Sequence, residues 1–243
     1  MKKILTALLC SAAILASTAV AGNTSFATLP TPVAYVGCSV SELSVHGYHI
    51  DGGTRMWPQN SKYDSGFVST WAGSLTNRWW TAFNQMNLQY PGAQQVWWQL
   101  CVATNTDPAQ LDHDARIVLQ RIHDKLPGAT VYVSSLPPYP DHLCPTTGTD
   151  GIINGENERN LLTQTTDAQP GPVMVPLDLK HVYPYVPCHP NYRGQQDEGR
   201  VLLNFFDPPT AISERQCAPN VAHRCLPCSW IAEIGRASCR ERV

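Results

Sequence analysis

Pro32-Val33-Ala34-Tyr35-Val36-Gly37-Cys38-Ser39 is a short stretch rich in β-branched and aromatic residues that breaks at a glycine. It predicts a buried strand that delivers Cys38 and Ser39 into a loop. Two later runs, Gln95–Leu100 and residues 129–134, have the same character. A helix predicted over residues 75–88, and another that begins at Asp107-Pro108, separate these strands. The alternation is typical of a parallel sheet covered by helices on both faces.

The remaining segments extend the same pattern. Residues 47–69, rich in Gly, Asn, Asp and Ser, predict a long loop, and residues 172–176 predict a weaker strand. Residues 155–166 and 194–206 predict two further helices. The predicted fold class is α/β, a three-layer α/β/α domain with a mostly parallel, flavodoxin-like sheet. Because such sheets bind ligands at the carboxyl ends of their strands, we expect the site in the loops after Val36, Leu100 and Ser134.

Both ends of the chain differ in character from its body. Residues 1–21 combine a doubly basic start, an apolar run and the small residues Ala19-Val20-Ala21. That pattern predicts a cleavable signal peptide and a secreted protein, extracellular or periplasmic. Residues 233–243 resemble a translated sequencing-adapter oligonucleotide and are interpreted as a non-native artefact. We expect the domain to span residues 22–208, and residues 209–232 to be a Cys- and Pro-rich linker or the start of a lost module.

Charge and hydropathy argue against several functional classes. The chain has 17 Lys+Arg and 19 Asp+Glu, and no basic run or stripe, which disfavours binding to nucleic acid or to an anionic membrane surface. After the signal peptide, no apolar stretch is long enough to span a membrane. His46, His49 and Asp51 are too few to form a zinc site, so no metal is expected, and no cofactor is implied. We expect a monomer.

Four cysteines fall within the predicted domain: Cys38, Cys101, Cys144 and Cys188. Disulfides are the default state of cysteines in an exported protein, so we expect a pair of bridges around the site. Four cysteines allow three pairings, and the sequence does not choose among them. Without Cys10 of the signal peptide and Cys239 of the adapter-like segment, three more cysteines remain and make the number odd: Cys217, Cys225 and Cys228.

Ser39 and His189 are the candidate nucleophile and base. A serine directly after a buried strand is presented at the rim of the sheet, although the same position suits an ordinary helix N-cap. A hydroxyl needs a base to take its proton. His189 lies in Cys188-His189-Pro190-Asn191, in a predicted loop before the last helix, and histidines at that edge face the strand ends. A surface histidine is the alternative interpretation.

Five stretches of the chain, YVGCSVS, WAGSLTN, VWWQLC, ATVYVSSLPPY and CHPNYRG, resemble in this order the SGNH, or GDSL-type, hydrolase family. The resemblance covers roughly residues 32–206. It implies an esterase or lipase-type hydrolase with Ser39 as nucleophile and His189 as base. It also implies that the backbone N–H groups of Ser39 and Gly73, with the side chain of Asn105, hold the oxyanion. The implied substrate is a small-molecule or polysaccharide-linked ester.

Two departures from the family pattern matter. Val186 stands three residues before His189, where the family has an aspartate that orients the imidazole, so we expect a Ser-His dyad or a triad of unidentified acid. Asp178 and His181 have the family spacing in the wrong context. Asn105 falls two residues late and equally suits a loop cap. The alternatives are a non-catalytic polysaccharide- or wall-binding domain of the same fold, and an acyltransferase.

Overall fold

The computed structural model describes residues 30–208. The predicted signal peptide, the linker at 209–232 and the adapter-like segment at 233–243 lie outside this range. The elements follow in chain order: β1 (Val33–Val36), α1 (Ser39–Ile50), a 3-10 helix (Ser61–Tyr63), α2 (Val68–Ala72), α3 (Arg78–Gln89), β2 (Gln95–Leu100), α4 (Pro108–Lys125), β3 (Thr130–Ser135), α5 (Gly148–Thr165), β4 (Gln169–Pro170), β5 (Val182–Tyr183), β6 (Val186–Pro190) and α6 (Tyr192–Phe206).

The main sheet is parallel and has the order β1-β2-β3-β4. Met56 makes a parallel bridge to Val33, which also pairs with Gln95 of β2, so Met56 lies on the other edge of β1. α1 packs against α6, whereas α4 packs against α2 and α5. The fold is therefore the predicted three-layer α/β/α arrangement. The segment at Met56 lies beside one edge of β1 and β2 lies beside the other. The strand order therefore switches at the carboxyl end of β1.

The two helix layers explain the burial of the strands. All four residues of β1 have no exposed surface, and adjacent Trp97 and Trp98 of β2 are 0% and 1% exposed. Neighbouring side chains on a strand point to opposite faces, so both tryptophans are buried only because both faces are covered. Within residues 30–208, no helix is long and apolar enough to cross a membrane.

Helices α1 and α6 meet through glycines. A Cβ on Gly47 of α1 would overlap the backbone carbonyl of Gln195, and a Cβ on Gly199 of α6 would overlap the backbone at Gly47. The two helices therefore touch backbone to backbone. This contact explains glycines inside helices, where they otherwise cost about 1 kcal/mol relative to alanine.

Four sequence predictions of local structure were wrong. The loop predicted at 47–69 overlaps both α1, which runs to Ile50, and α2; Gly47 is a packing glycine rather than a loop glycine. The strand predicted at 172–176 is not formed, since prolines at both of its ends cannot donate to a ladder, and the short β4 precedes it. The helix predicted from residue 155 begins at Gly148. His189 lies on β6 rather than in a loop.

Candidate active site

Ser39 is the first residue of α1 and follows β1 after a two-residue turn. Cys38 occupies the N-cap position, so Ser39 does not act as the cap. The first N–H groups of a helix have no intrahelical partner and lie at the positive end of its dipole. The Ser39 hydroxyl thus lies beside backbone donors that favour negative charge.

Buried polar side chains fix the turn before Ser39. The Trp71 indole donates to the Gly37 carbonyl oxygen over 2.9 Å, and the Cys38 N–H donates to Ser41 Oγ over 3.0 Å. Ser41 Oγ in turn donates to Gln99 Oε1 of β2 over 2.7 Å. A disulfide joins Cys38 to Cys101, the residue that follows β2. The turn that presents Ser39 is therefore anchored to the neighbouring strand both covalently and by hydrogen bonds.

His189 lies against Ser39 although 150 residues separate them in sequence. Its Nε2 is 2.8 Å from Ser39 Oγ. β6, which bears His189, is held at Cys188 in two ways. The Tyr139 hydroxyl donates to the Cys188 carbonyl oxygen over 2.9 Å, and a disulfide joins Cys188 to Cys144. Asn191 then caps α6 by accepting N–H bonds from its first turn.

The electrostatics of the site favour a neutral imidazole. Burial lowers the pKa of His189 below its ordinary value of 6.5, and the negative charge of Asp64 opposes that shift. At neutral pH the ring therefore has a free lone pair. With the proton on Nδ1, Nε2 accepts the hydrogen bond from the Ser39 hydroxyl, which is the geometry that a general base requires.

Ser39 and His189 line one cavity of about 250 Å³ at the carboxyl ends of the strands. The sequence predicted this edge and the loops after Val36 and Ser134, whereas the loop after Leu100 does not line the cavity. The cavity is lined by residues from the turns after β1 and β3, from the segment that precedes α2 and from β6: Cys38, Ser39, Val40, Asp64, Ser65, Phe67, Leu136, Tyr139, Cys144, Thr146, Thr147, Val186, Cys188 and His189.

Neither Gly73 nor Asn105 lines this cavity. The Gly73 N–H donates to the Thr70 carbonyl oxygen at the end of α2. Asn105 is exposed, has a left-handed backbone with φ of 57°, and donates its N–H to Asp150. Both positions serve local turns, which was the alternative interpretation of Asn105. Thus the structure brings Ser39 and His189 together, and leaves Gly73 and Asn105 outside.

Two residues of the cavity, Asp64 and Ser65, were missed by sequence reasoning. Ser65 has φ of 57°, and within residues 30–208 its N–H has no hydrogen-bond acceptor. It precedes Gly66, where a Cβ would overlap the Gly37 carbonyl oxygen. The signal was the turn sequence Asp64-Ser65-Gly66, which follows the edge segment at Met56. That turn lies inside the loop predicted at 47–69 and was not distinguished from the rest of it.

The possible partners of His189 Nδ1 are few. Val186 lines the cavity, and its side chain has no group that can accept a hydrogen bond. Asp178 instead bonds His181, with an Oδ1–Nδ1 distance of 2.6 Å, and neither residue lines the cavity. Among the described residues, Ser39 is the one hydrogen-bond partner of the His189 ring. The pair is therefore a dyad in this structure.

The histidines considered for a metal site bond to the protein itself. His46 Nδ1 lies 2.7 Å from Gln195 Oε1, and His49 Nδ1 lies 3.0 Å from the Gly53 carbonyl oxygen. Across residues 30–208, no group of three or more His, Cys, Asp or Glu side chains is arranged to hold a metal ion.

No model of a known protein family matches the chain, and no curated protein matches it either. The resemblance to SGNH hydrolases rests on the five motif stretches alone and stays a hypothesis.

Proposed function

We propose that this chain is a secreted serine hydrolase that cleaves carboxylic esters through an acyl-enzyme on Ser39. The observation that supports it most is the 2.8 Å contact of Ser39 Oγ with His189 Nε2 inside a cavity of about 250 Å³. A serine hydroxyl is a weak nucleophile until a base takes its proton. A neutral, half-buried imidazole at hydrogen-bonding distance is suited to do so.

The proposed reaction has two stages. Ser39 Oγ attacks the ester carbonyl carbon and passes its proton to His189 Nε2, and the carbonyl oxygen becomes an oxyanion. The intermediate collapses, the C–O bond to the alcohol breaks, and His189 returns the proton to the leaving oxygen. Water then attacks the acyl-enzyme with His189 again as base, which releases the acid and restores Ser39.

Backbone amides are the proposed oxyanion donors. Ser39 and Val40 begin α1 and line the cavity, so their N–H groups lie at the positive end of the helix dipole. Ser65 contributes a third N–H without another acceptor among residues 30–208. Preorganised donors of this kind each contribute about 3 kcal/mol to transition-state stabilisation in serine hydrolases. They replace the roles that the family resemblance gave to Gly73 and Asn105.

A non-catalytic binding domain is the second candidate, and Val186 favours it. Without a carboxylate on Nδ1, the imidazolium formed during attack lacks the stabilisation that a third group supplies. A polysaccharide- or wall-binding domain would have no need of that group. The two candidates differ in one measurable property, the reactivity of Ser39.

Covalent labelling tests the proposal. The mature protein should react with a fluorophosphonate probe and hydrolyse p-nitrophenyl acetate, and Ser39→Ala and His189→Ala should each abolish both. His181→Ala is the matched control, since His181 pairs with an aspartate at the family spacing but lies outside the cavity. It should keep labelling. A folded protein that shows no Ser39-dependent labelling and no turnover would refute the hydrolase and favour the binding-domain alternative.

A further inference from the structure

The cavity around Ser39 has an unbalanced charge. Among its described lining residues, Asp64 is the one carboxylate, and none is a lysine or an arginine. Within residues 30–208 the Asp64 carboxylate makes no hydrogen bond or ion pair; Arg78 and Trp79 donate instead to its backbone carbonyl oxygen. Asp64 is exposed and lines the cavity, and its carboxylate is not ion-paired, although the Arg78 guanidinium lies against the main chain of the same residue.

The charge of Asp64 acts on the reacting groups as well. It opposes the lowering of the pKa of His189 by burial, so its field extends to the imidazole. Phe67 and Tyr139 add aromatic residues to the lining of the same cavity. Aromatic rings attract cations through their quadrupole, and a nearby carboxylate adds to that attraction. An anionic ester would meet the opposite field.

We propose that the cavity selects esters that bear a positive charge, a quaternary ammonium or a protonated amine, with Asp64 as the specificity-determining residue. This inference rests on the proposed ester hydrolysis at Ser39. The ester carbonyl binds at Ser39 while the cationic group binds toward Asp64, Phe67 and Tyr139. Anionic esters are disfavoured because no side chain of the described lining offers a compensating cation.

A pair of substrates of equal shape isolates the charge. Butyrylcholine and 3,3-dimethylbutyl butyrate differ only in a nitrogen cation replaced by carbon. We expect kcat/KM at pH 8 to be roughly fivefold higher for the cationic ester, a factor that corresponds to an exposed ion pair. The ratio should decline toward one as NaCl is raised to about 0.5 M, because salt screens exposed charges.

Two variants complete the experiment. Asp64→Asn should abolish the preference, because kcat/KM for butyrylcholine then falls to the value that the same variant shows for the neutral ester. Asp124→Asn, which removes the same charge from an exposed position on α4, should keep it. Equal kcat/KM for both esters in the unmodified protein, or a preference that survives Asp64→Asn, overturns the inference while neutral-ester turnover still supports the hydrolase. If the unmodified protein shows neither turnover nor Ser39 labelling, both proposals are refuted.

Discussion

Removal of the Cys144–Cys188 disulfide is the most informative perturbation of this structure. The bridge joins residues 44 apart in sequence, and Cys188 directly precedes His189. Closing a loop of that length in the unfolded chain lowers its entropy enough to stabilise the fold by about 4 kcal/mol. The double variant Cys144→Ser/Cys188→Ser should lose that amount of unfolding free energy.

Tryptophan fluorescence reports this change, because several indoles that are fully buried become exposed on unfolding: Trp57, Trp71, Trp80, Trp97 and Trp98. Urea titrations of both proteins give the difference in unfolding free energy. For a domain of this size we expect Tm to fall by roughly 8–16 °C. The variant Cys38→Ser/Cys101→Ser, which opens a bridge with a separation of 63, should fall by a similar amount.

The functional arm of the experiment is measured well below the lowered Tm. We expect Ser39 labelling to slow at least tenfold, since β6 then loses its covalent attachment beside His189 and is held there by hydrogen bonds, such as those of Tyr139 and His142. A loss of stability below about 1 kcal/mol, with labelling unchanged, would refute the idea that this bridge stabilises the fold and positions the base.

Two further predictions concern protonation. The kcat/KM of ester hydrolysis should rise with pH, with a midpoint below pH 6.5. Burial lowers the pKa of His189, and only the neutral ring accepts a proton. A midpoint at or above pH 6.5 would contradict the buried base. Burial raises the pKa of Glu42 from 4.5 to about 8. Between these pH values the carboxyl ionises in the unfolded chain but stays protonated in the folded one. The free energy of unfolding therefore falls as pH rises from 4.5 toward 8. Glu42→Gln keeps an oxygen for the Tyr63 N–H and should stabilise the protein by about 2 kcal/mol at pH 7, screening included, and by nothing measurable at pH 4. Urea titrations at both pH values check the sign, and equal gains at both would rule out a titrating Glu42.

The elements with strong local signals were predicted from the sequence. The run Gln95–Leu100 forms β2 with the predicted bounds, and Asp107 caps α4 through a side-chain bond to the Gln110 N–H, with Pro108 at the first helical position. Both predictions depend on residues that lie close together in sequence. Signals of that range are visible without knowledge of the fold.

Elements decided by distant contacts were missed. Gly47 lies inside α1 because α6 crosses there, yet in sequence it is indistinguishable from a loop glycine. β6 contains two prolines, which argue against a strand, and it forms only as the partner of a two-residue β5. Tertiary packing determines both, so local propensity gives the wrong element.

The residues of the candidate site also fall into two groups, those with a local sequence signal and those placed by distant contacts. Ser39 and His189 stand next to strong local signals, a strand end and a capped helix start, and the structure brings them into contact. The pairing of the cysteines beside them depends on which loops meet in space, so the sequence left three alternatives open. Asp64 and Ser65 belong to a turn without periodicity, and their place at the cavity follows from the strand order, which places the Met56 segment beside β1.

The glycine contact between α1 and α6 limits which amino-acid substitutions this protein can accept. α1 begins with Ser39, and α6 follows the strand that bears His189, so the spacing of the two helices helps to set the spacing of nucleophile and base. That spacing is set by main-chain atoms at Gly47 and Gly199 rather than by side chains. Aliphatic residues elsewhere in the interior can exchange during evolution without moving the two groups apart. A single methyl group at either glycine would wedge the helices open, which makes these two positions, remote from the reaction, as intolerant of substitution as the reacting residues.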